Sequence, residues 1–142
     1  MTGRRRYTLR LAFAVTGVCL GLAGTARAHH AFAAEFDVNR PIKLRGIVTK
    51  MDWINPHSWI HLDVKGADGK VVSWMIEGGS PNALLRLGFT KDALPAGSEI
   101  VVEGFQAKDG GNRGVGKSLS FADGRKLFLG GSTPGATGDP EK

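Results

Sequence analysis

His29, His30, His57 and His61 are the four histidines of the 142-residue chain, and the first two stand where they could bind a metal. They directly follow Ala26-Arg27-Ala28. Small residues at Ala26 and Ala28 form the A-x-A pattern cut by signal peptidases. Cleavage after Ala28 makes His29 the first residue of the mature protein. That residue then offers an α-amine and an imidazole, and His30 adds a second imidazole. Nitrogen donors in a roughly planar set suit Cu(II) or Ni(II). The α-amine ordinarily titrates near ~7.7–8.0, so a metal must displace its proton. Before cleavage the same nitrogen is an amide and cannot serve. Cleavage after Ala26 instead leaves Arg27-Ala28-His29 at the terminus, with histidine in third place.

A second constellation lies in the middle of the chain, at Asn55-Pro56-His57 with Trp59 and His61. The stretch Ser58–Val64 alternates, with Ile60, Leu62 and Val64 on one face and Trp59, His61 and Asp63 on the other. In the stretch Val71–Glu77, Val72, Trp74 and Ile76 share one face and Ser73, Met75 and Glu77 the other. If the two strands pair, Trp59, His61, Met75 and Glu77 form a polar and aromatic cluster on an outer face. His57 and His61 lie about 13 Å apart along an extended chain, too far for one metal unless the turn folds back. His57 or His61 is therefore a candidate third donor to the N-terminal histidines, and the two do not make a site of their own.

The residues before the join read as an export signal. Arg4-Arg5-Arg6 is its positive region and residues 11–24 its apolar region. That apolar run is shorter than the ~20 residues a membrane span needs. Arg4-Arg5-Arg6-Tyr7-Thr8-Leu9 fits a twin-arginine signal loosely, and the general secretory route is the other option. Either route leads to the periplasm. Val18 before Cys19 argues against a lipid anchor, and the mature chain has no other cysteine, hence no disulfide. The precursor carries a net charge of +6. Five arginines and no acid leave with residues 1–28, so 14 basic against 13 acidic residues remain, a net +1. This near-neutral balance gives no support to nucleic-acid binding.

About 114 residues remain, enough for one domain. Residues 29–40 read as an N-terminal arm, in which Phe32 and Phe36 suit a turn of helix or an extended arm pinned by two aromatics. Residues 41–129 read as the domain and the Gly- and Pro-rich residues 130–142 as a disordered tail. The first strand, Pro41–Trp53, changes phase around Gly46, which predicts a β-bulge there, with Ile47 and Met51 in the new phase. Ala67-Asp68-Gly69-Lys70 is a hairpin turn. Ser80 is a good helix N-cap, Pro81 a good first residue and Gly88 a good stop. A fourth strand spans Glu99–Phe105, residues 108–116 read as a Gly-rich loop, and Asp123-Gly124 joins a last hairpin, Ser118–Phe121 with Arg125–Leu129. The expected fold is mostly β: a small five-stranded OB-like barrel with one short helix between strands 3 and 4, with a small β-sandwich as the alternative.

The combined motifs His29-His30, Phe32-Ala33-Ala34-Glu35-Phe36-Asp37, Trp53-x-Asn55-Pro56-His57-x-Trp59, Gly79-Ser80-Pro81-Asn82-Ala83-Leu84-Leu85-Arg86 and Ala122-Asp123-Gly124-Arg125-Lys126 span nearly the whole mature chain. They resemble a family of small exported bacterial proteins catalogued as domain of unknown function 6152. The resemblance implies an exported protein and supplies no reaction. The two possible new termini resemble, respectively, the histidine brace of copper monooxygenases and the amino-terminal copper and nickel motif. The outer cluster is similar in kind to copper(I)-carrying OB barrels that use His, Met and Trp.

Nucleophile-elbow, metalloprotease and phosphate-loop motifs are absent from the sequence. The expectation is thus a non-enzymatic periplasmic binding module. In one version it takes copper through His29 and His30. In the alternative it uses no metal and binds a periplasmic protein or small organic ligand through Asn55, His57, Trp59, His61, Met75 and Glu77.

Overall fold

The computed structural model describes residues 32–131 and 133. The strands are β1 (Phe36–Asp52), β2 (Trp59–Lys65), β3 (Val71–Glu77), β4 (Glu99–Ala107), β5 (Arg113–Phe121) and β6 (Lys126–Phe128), and helix α1 (Pro81–Arg86) lies between β3 and β4. Pairing runs β3-β2-β1-β4-β5-β6, and a parallel contact of β3 with β5 closes the ring. Five strands therefore make the expected OB-like barrel, and β6 extends it as a short hairpin arm on β5.

Alternation sets the inside of the barrel. Ile60 and Leu62 from β2, Ile76 from β3, Ile100 and Val102 from β4 and Leu119 from β5 are buried together. Each such side chain contributes roughly 1.5–3 kcal/mol relative to exposure. Helix α1 begins as its residues predict: the Ser80 hydroxyl accepts the Ala83 N–H at 3.3 Å, and Pro81 opens the first turn. Gly88, at φ +79°, ends the turn in the left-handed region. Leu84 and Phe89 then enter the same core, with Trp53 stacked on Phe89 at 6.1 Å.

Two local expectations are corrected. The register of β1 against β2 shifts between Val48 and Lys50, and Gly46 pairs regularly with Ile100. The bulge thus sits three residues beyond Gly46, and Ile47 is exposed rather than turned inward. Gly46 serves a different need, since a Cβ there would lie 2.4 Å from the Asp63 carbonyl oxygen. Residues 113–116, read as loop, are the first half of β5. Their glycines hid the alternation and exist for packing: a Cβ at Gly114 would meet Ile42 at 2.6 Å and one at Gly116 would meet Leu129 at 2.2 Å.

A second, smaller core lies on the outer side of β4 and β5. Phe36, Ala107 and Val115 are buried there, with Phe32 and Phe105 packed against them. Phe32 belongs to a helical turn at residues 32–35 and Phe36 starts β1, so the aromatic pair of the arm combines both expected forms. In the C-terminal segment, Gly130 and Thr133 are buried. No helix among the described residues is long and apolar enough to cross a membrane.

Candidate functional site

β2 and β3 pair in the register their alternation implies. Trp59 stands opposite Glu77, and His61 opposite Met75. Alternation puts all four on the face opposite Ile60 and Ile76, and of these Glu77 is buried. Met75 is exposed and Trp59 and His61 are half-buried. The Asn55-Pro56-His57 loop, whose Asn55–Pro56 peptide is cis, leads into this face. Ser58 clamps the loop: its N–H donates to Gly79 O at 3.1 Å, and its carbonyl accepts the Gly78 N–H at 2.9 Å.

That clamp brings His57 onto the end of β3. His57 Nδ1 lies 2.6 Å from Glu77 Oε1, with the histidine side chain 47% exposed and the glutamate 11%. At this distance the imidazole and the carboxylate form a close pair. Burial raises the Glu77 pKa, which His57 and Arg113 oppose and Glu35 reinforces. The carboxyl is thus a partly desolvated group whose ionised form depends on cationic neighbours.

His61 is committed elsewhere. Its Nε2 lies 2.8 Å from Asp52 Oδ2, and Lys50 Nζ lies 2.7 Å from the other oxygen of that carboxylate. The bonds from Lys50 and then His61 hold Asp52 below the usual carboxylate range. The two histidines of the strand motif therefore serve different carboxylates.

Three contributors were not singled out from the sequence: Asp52, Glu35 and Arg113. Asp52 is reached only through the bulge that shifts β1 against β2, so no spacing rule relates it to His61. Arg113 lay in the stretch read as loop. In the structure it stands opposite Met75, and its Nη1 lies 3.8 Å from Glu35 Oε2. Lys108 adds two anchors to the same turn, a backbone N–H to Glu35 O at 2.9 Å and its ammonium to Ala33 O.

The start of the described chain is thus fastened beside the outer face of β3. Val115, part of the cluster that holds Phe32 and Phe36, stands opposite Glu77. His29 and His30 themselves lie outside the described residues. Among the described residues, no three His, Cys, Asp or Glu side chains converge to hold a metal ion. The barrel face by itself offers two imidazoles, His57 and His61, each beside a carboxylate, and a complete metal site would need donors from elsewhere.

No curated protein and no solved structure matches this chain. Residues 18–117 match the family described as a family of unknown function, DUF6152, and the chain belongs to that family.

Proposed function

We propose that this protein is an exported, non-enzymatic binding module that takes Cu(II) through the α-amine and imidazoles of a processed N-terminus, His29 and His30. The observation that supports this reading is the fastening of residues 32–36 on the barrel wall. Phe32 packs against Phe36 at 6.1 Å and edge-on to Phe105 at 5.8 Å, and Lys108 and Arg113 bind the same turn. Chelating residues that closely precede an anchored segment in sequence lose less freedom on chelation than those of a free peptide do. Cu(II) titration of protein purified from the periplasm, followed by EPR, tests the reading. One equivalent should bind with a nitrogen-rich tetragonal signal, and His29→Ala should weaken it by at least about tenfold, or 1.4 kcal/mol. Unchanged affinity in that variant contradicts it.

A second reading is a metal-free module for a protein or small organic ligand. Its support is the exposure of Met75 on β3, which stands opposite His61 next to the Trp59–Glu77 pair. Under this reading Trp59→Ala abolishes partner capture in the absence of any metal, while the barrel stays folded.

A further inference from the structure

We infer that the outer wall of the barrel where β1, β4 and β5 meet is a binding groove for a small organic monocarboxylate with a flat apolar body. The groove uses no metal and shares no residue with the outer face of β2 and β3.

Three observations carry it. The first is shape. A cavity of about 420 Å³ opens on this wall, and Pro41, Ile42, Gly104 and Phe105 supply its apolar lining. That volume falls within the ~300–1,000 Å³ of small-molecule sites. The lining is held in place. Pro41 pairs with Phe105 and Ile42 with Gly104 across β1 and β4, and Phe32 packs edge-on against the Phe105 ring at 5.8 Å. A groove fixed by strand pairing needs little reordering to receive a ligand.

The second is charge. Lys43, Glu103 and Lys117 are the polar members of the same lining. Lys43 Nζ lies 3.0 Å from Glu103 Oε1, and Lys126 Nζ lies 3.9 Å from the other oxygen of that carboxylate. One carboxylate thus serves a neighbourhood of three ammonium groups, and the local balance is positive. Lys117 is half-buried and, among the described residues, forms no ion pair. An anion whose apolar body covers the lining would complete that charge. Ammonium groups are compact point charges that suit a single carboxylate, and the lining has no arginine fork to grip a phosphate in two places.

The third is the backbone that places Lys117. Gly116 faces Ile76 and Leu129, and Leu119 is buried in the main core, so both turn inward. Strict alternation would put residues three apart on opposite faces. The discrepancy is absorbed by a bulge: Glu103 pairs with Ser118 and Gly104 with Gly116, which leaves Lys117 as the extra residue of β5. Bulges re-aim side chains in this way and are over-represented beside active sites.

The test is an NMR titration of the processed, metal-free protein with naphthalene-2-carboxylate, and with naphthalene-2-carboxamide as its uncharged match. The carboxylate should bind saturably and shift the amide signals of Lys43, Glu103, Phe105 and Lys117. It should bind about fivefold more tightly than the carboxamide. Lys117→Met, which keeps the apolar stem, should weaken the carboxylate about fivefold and affect the carboxamide less. Lys43→Met should act in the same direction, because it removes a cation and unmasks Glu103. Glu103→Gln should tighten the carboxylate about threefold, since it removes the one negative charge of the lining. Raising the ionic strength from about 0.01 M to about 0.15 M should weaken the carboxylate more than the carboxamide. Urea melts confirm that each variant is folded. Equal affinity for the two probes, wild-type affinity in Lys117→Met, weaker binding in Glu103→Gln, or shifts confined to β2 and β3 would each overturn the assignment. So would Lys117-dependent binding of anionic phospholipid vesicles or of polyglutamate with none of the carboxylate, which would make this wall a face for a membrane or an acidic protein.

Discussion

Glu77 and Val115 face each other in the short parallel pairing of β3 with β5, which joins the strand beside the arm to the strand beside the histidine loop. Val115 carries Phe32 and Phe36 on one side, and Glu77 carries His57 on the other. Removing the Phe32 ring should therefore loosen the arm without opening the barrel, whose main core is separate. Phe32→Ala is expected to lower Cu(II) affinity about tenfold (1.4 kcal/mol) while the cooperative unfolding transition persists. Competition titration and a urea melt measure the two effects. Full affinity in the variant would mean that the anchored arm has no part in binding.

The neutral form of His57 should favour one tautomer in the metal-free protein. Its Nδ1 lies 2.6 Å from Glu77 Oε1, and a carboxylate at that distance favours the proton on Nδ1. Nitrogen-15 shifts from a long-range proton–nitrogen correlation report this directly. The wild type should show the Nδ1–H form, and Glu77→Leu should revert toward the mixture of a free imidazole. An Nε2–H form in the wild type would contradict the geometry.

The close approach of β4 to β5 predicts an asymmetric response among glycines. A Cβ at Gly104 would lie 2.0 Å from the Val115 carbonyl oxygen, where only backbone movement can relieve it. Gly104→Ala should cost about 1–3 kcal/mol or more. Gly111→Ala meets only the Asp109 side chain at 3.3 Å and should stay within about 0.5 kcal/mol of wild type. Equal urea midpoints for the two variants would show that the strands are not held this tightly.

Two carboxylates should pull stability in opposite directions with pH. Asp52 titrates below its ordinary 3.8 in the folded state because of Lys50 and His61. Its contribution is present above that value and lost as pH falls through the folded pKa. Glu77 titrates above its ordinary 4.5 because it is buried. Its contribution is fully present below 4.5 and is lost as pH rises through the folded pKa. In metal-free protein, Asp52→Asn should therefore lose its disadvantage to wild type in acid. Glu77→Gln should improve relative to wild type as pH climbs above 4.5. Urea midpoints across this range check both signs, and a Glu77→Gln difference that tilts the other way would refute the buried carboxylate.

Much of the barrel was legible because period-two alternation is a strong signal where one face is buried. Ile60, Leu62 and Ile76 went inward as read, and Ser80, Pro81 and Gly88 bounded α1 as their conformational preferences require. The first half of β5 was not legible, because Gly114 and Gly116 replace side chains where neighbouring residues press in. The bulge was misplaced because Gly46 looks the same in sequence whether it bends a strand or admits a close backbone. The site divides the same way. The cross-strand neighbours Trp59–Glu77 and His61–Met75 followed from alternation. The pairs His57–Glu77 and His61–Asp52 depend on a loop clamp and a register shift, which no local pattern encodes.

The central claim is that a free α-amine at His29 completes a copper site on this barrel. The most direct measurement compares Cu(II) affinity and EPR spectra of two chains, one beginning at His29 and one carrying a short extension that turns that amine into an amide. The first should bind one equivalent far more tightly than a free peptide of its first residues, and the extended chain should bind no better than that peptide. Equal, weak binding by both would contradict the account and leave the outer face of β2 and β3 as the place to look for a partner.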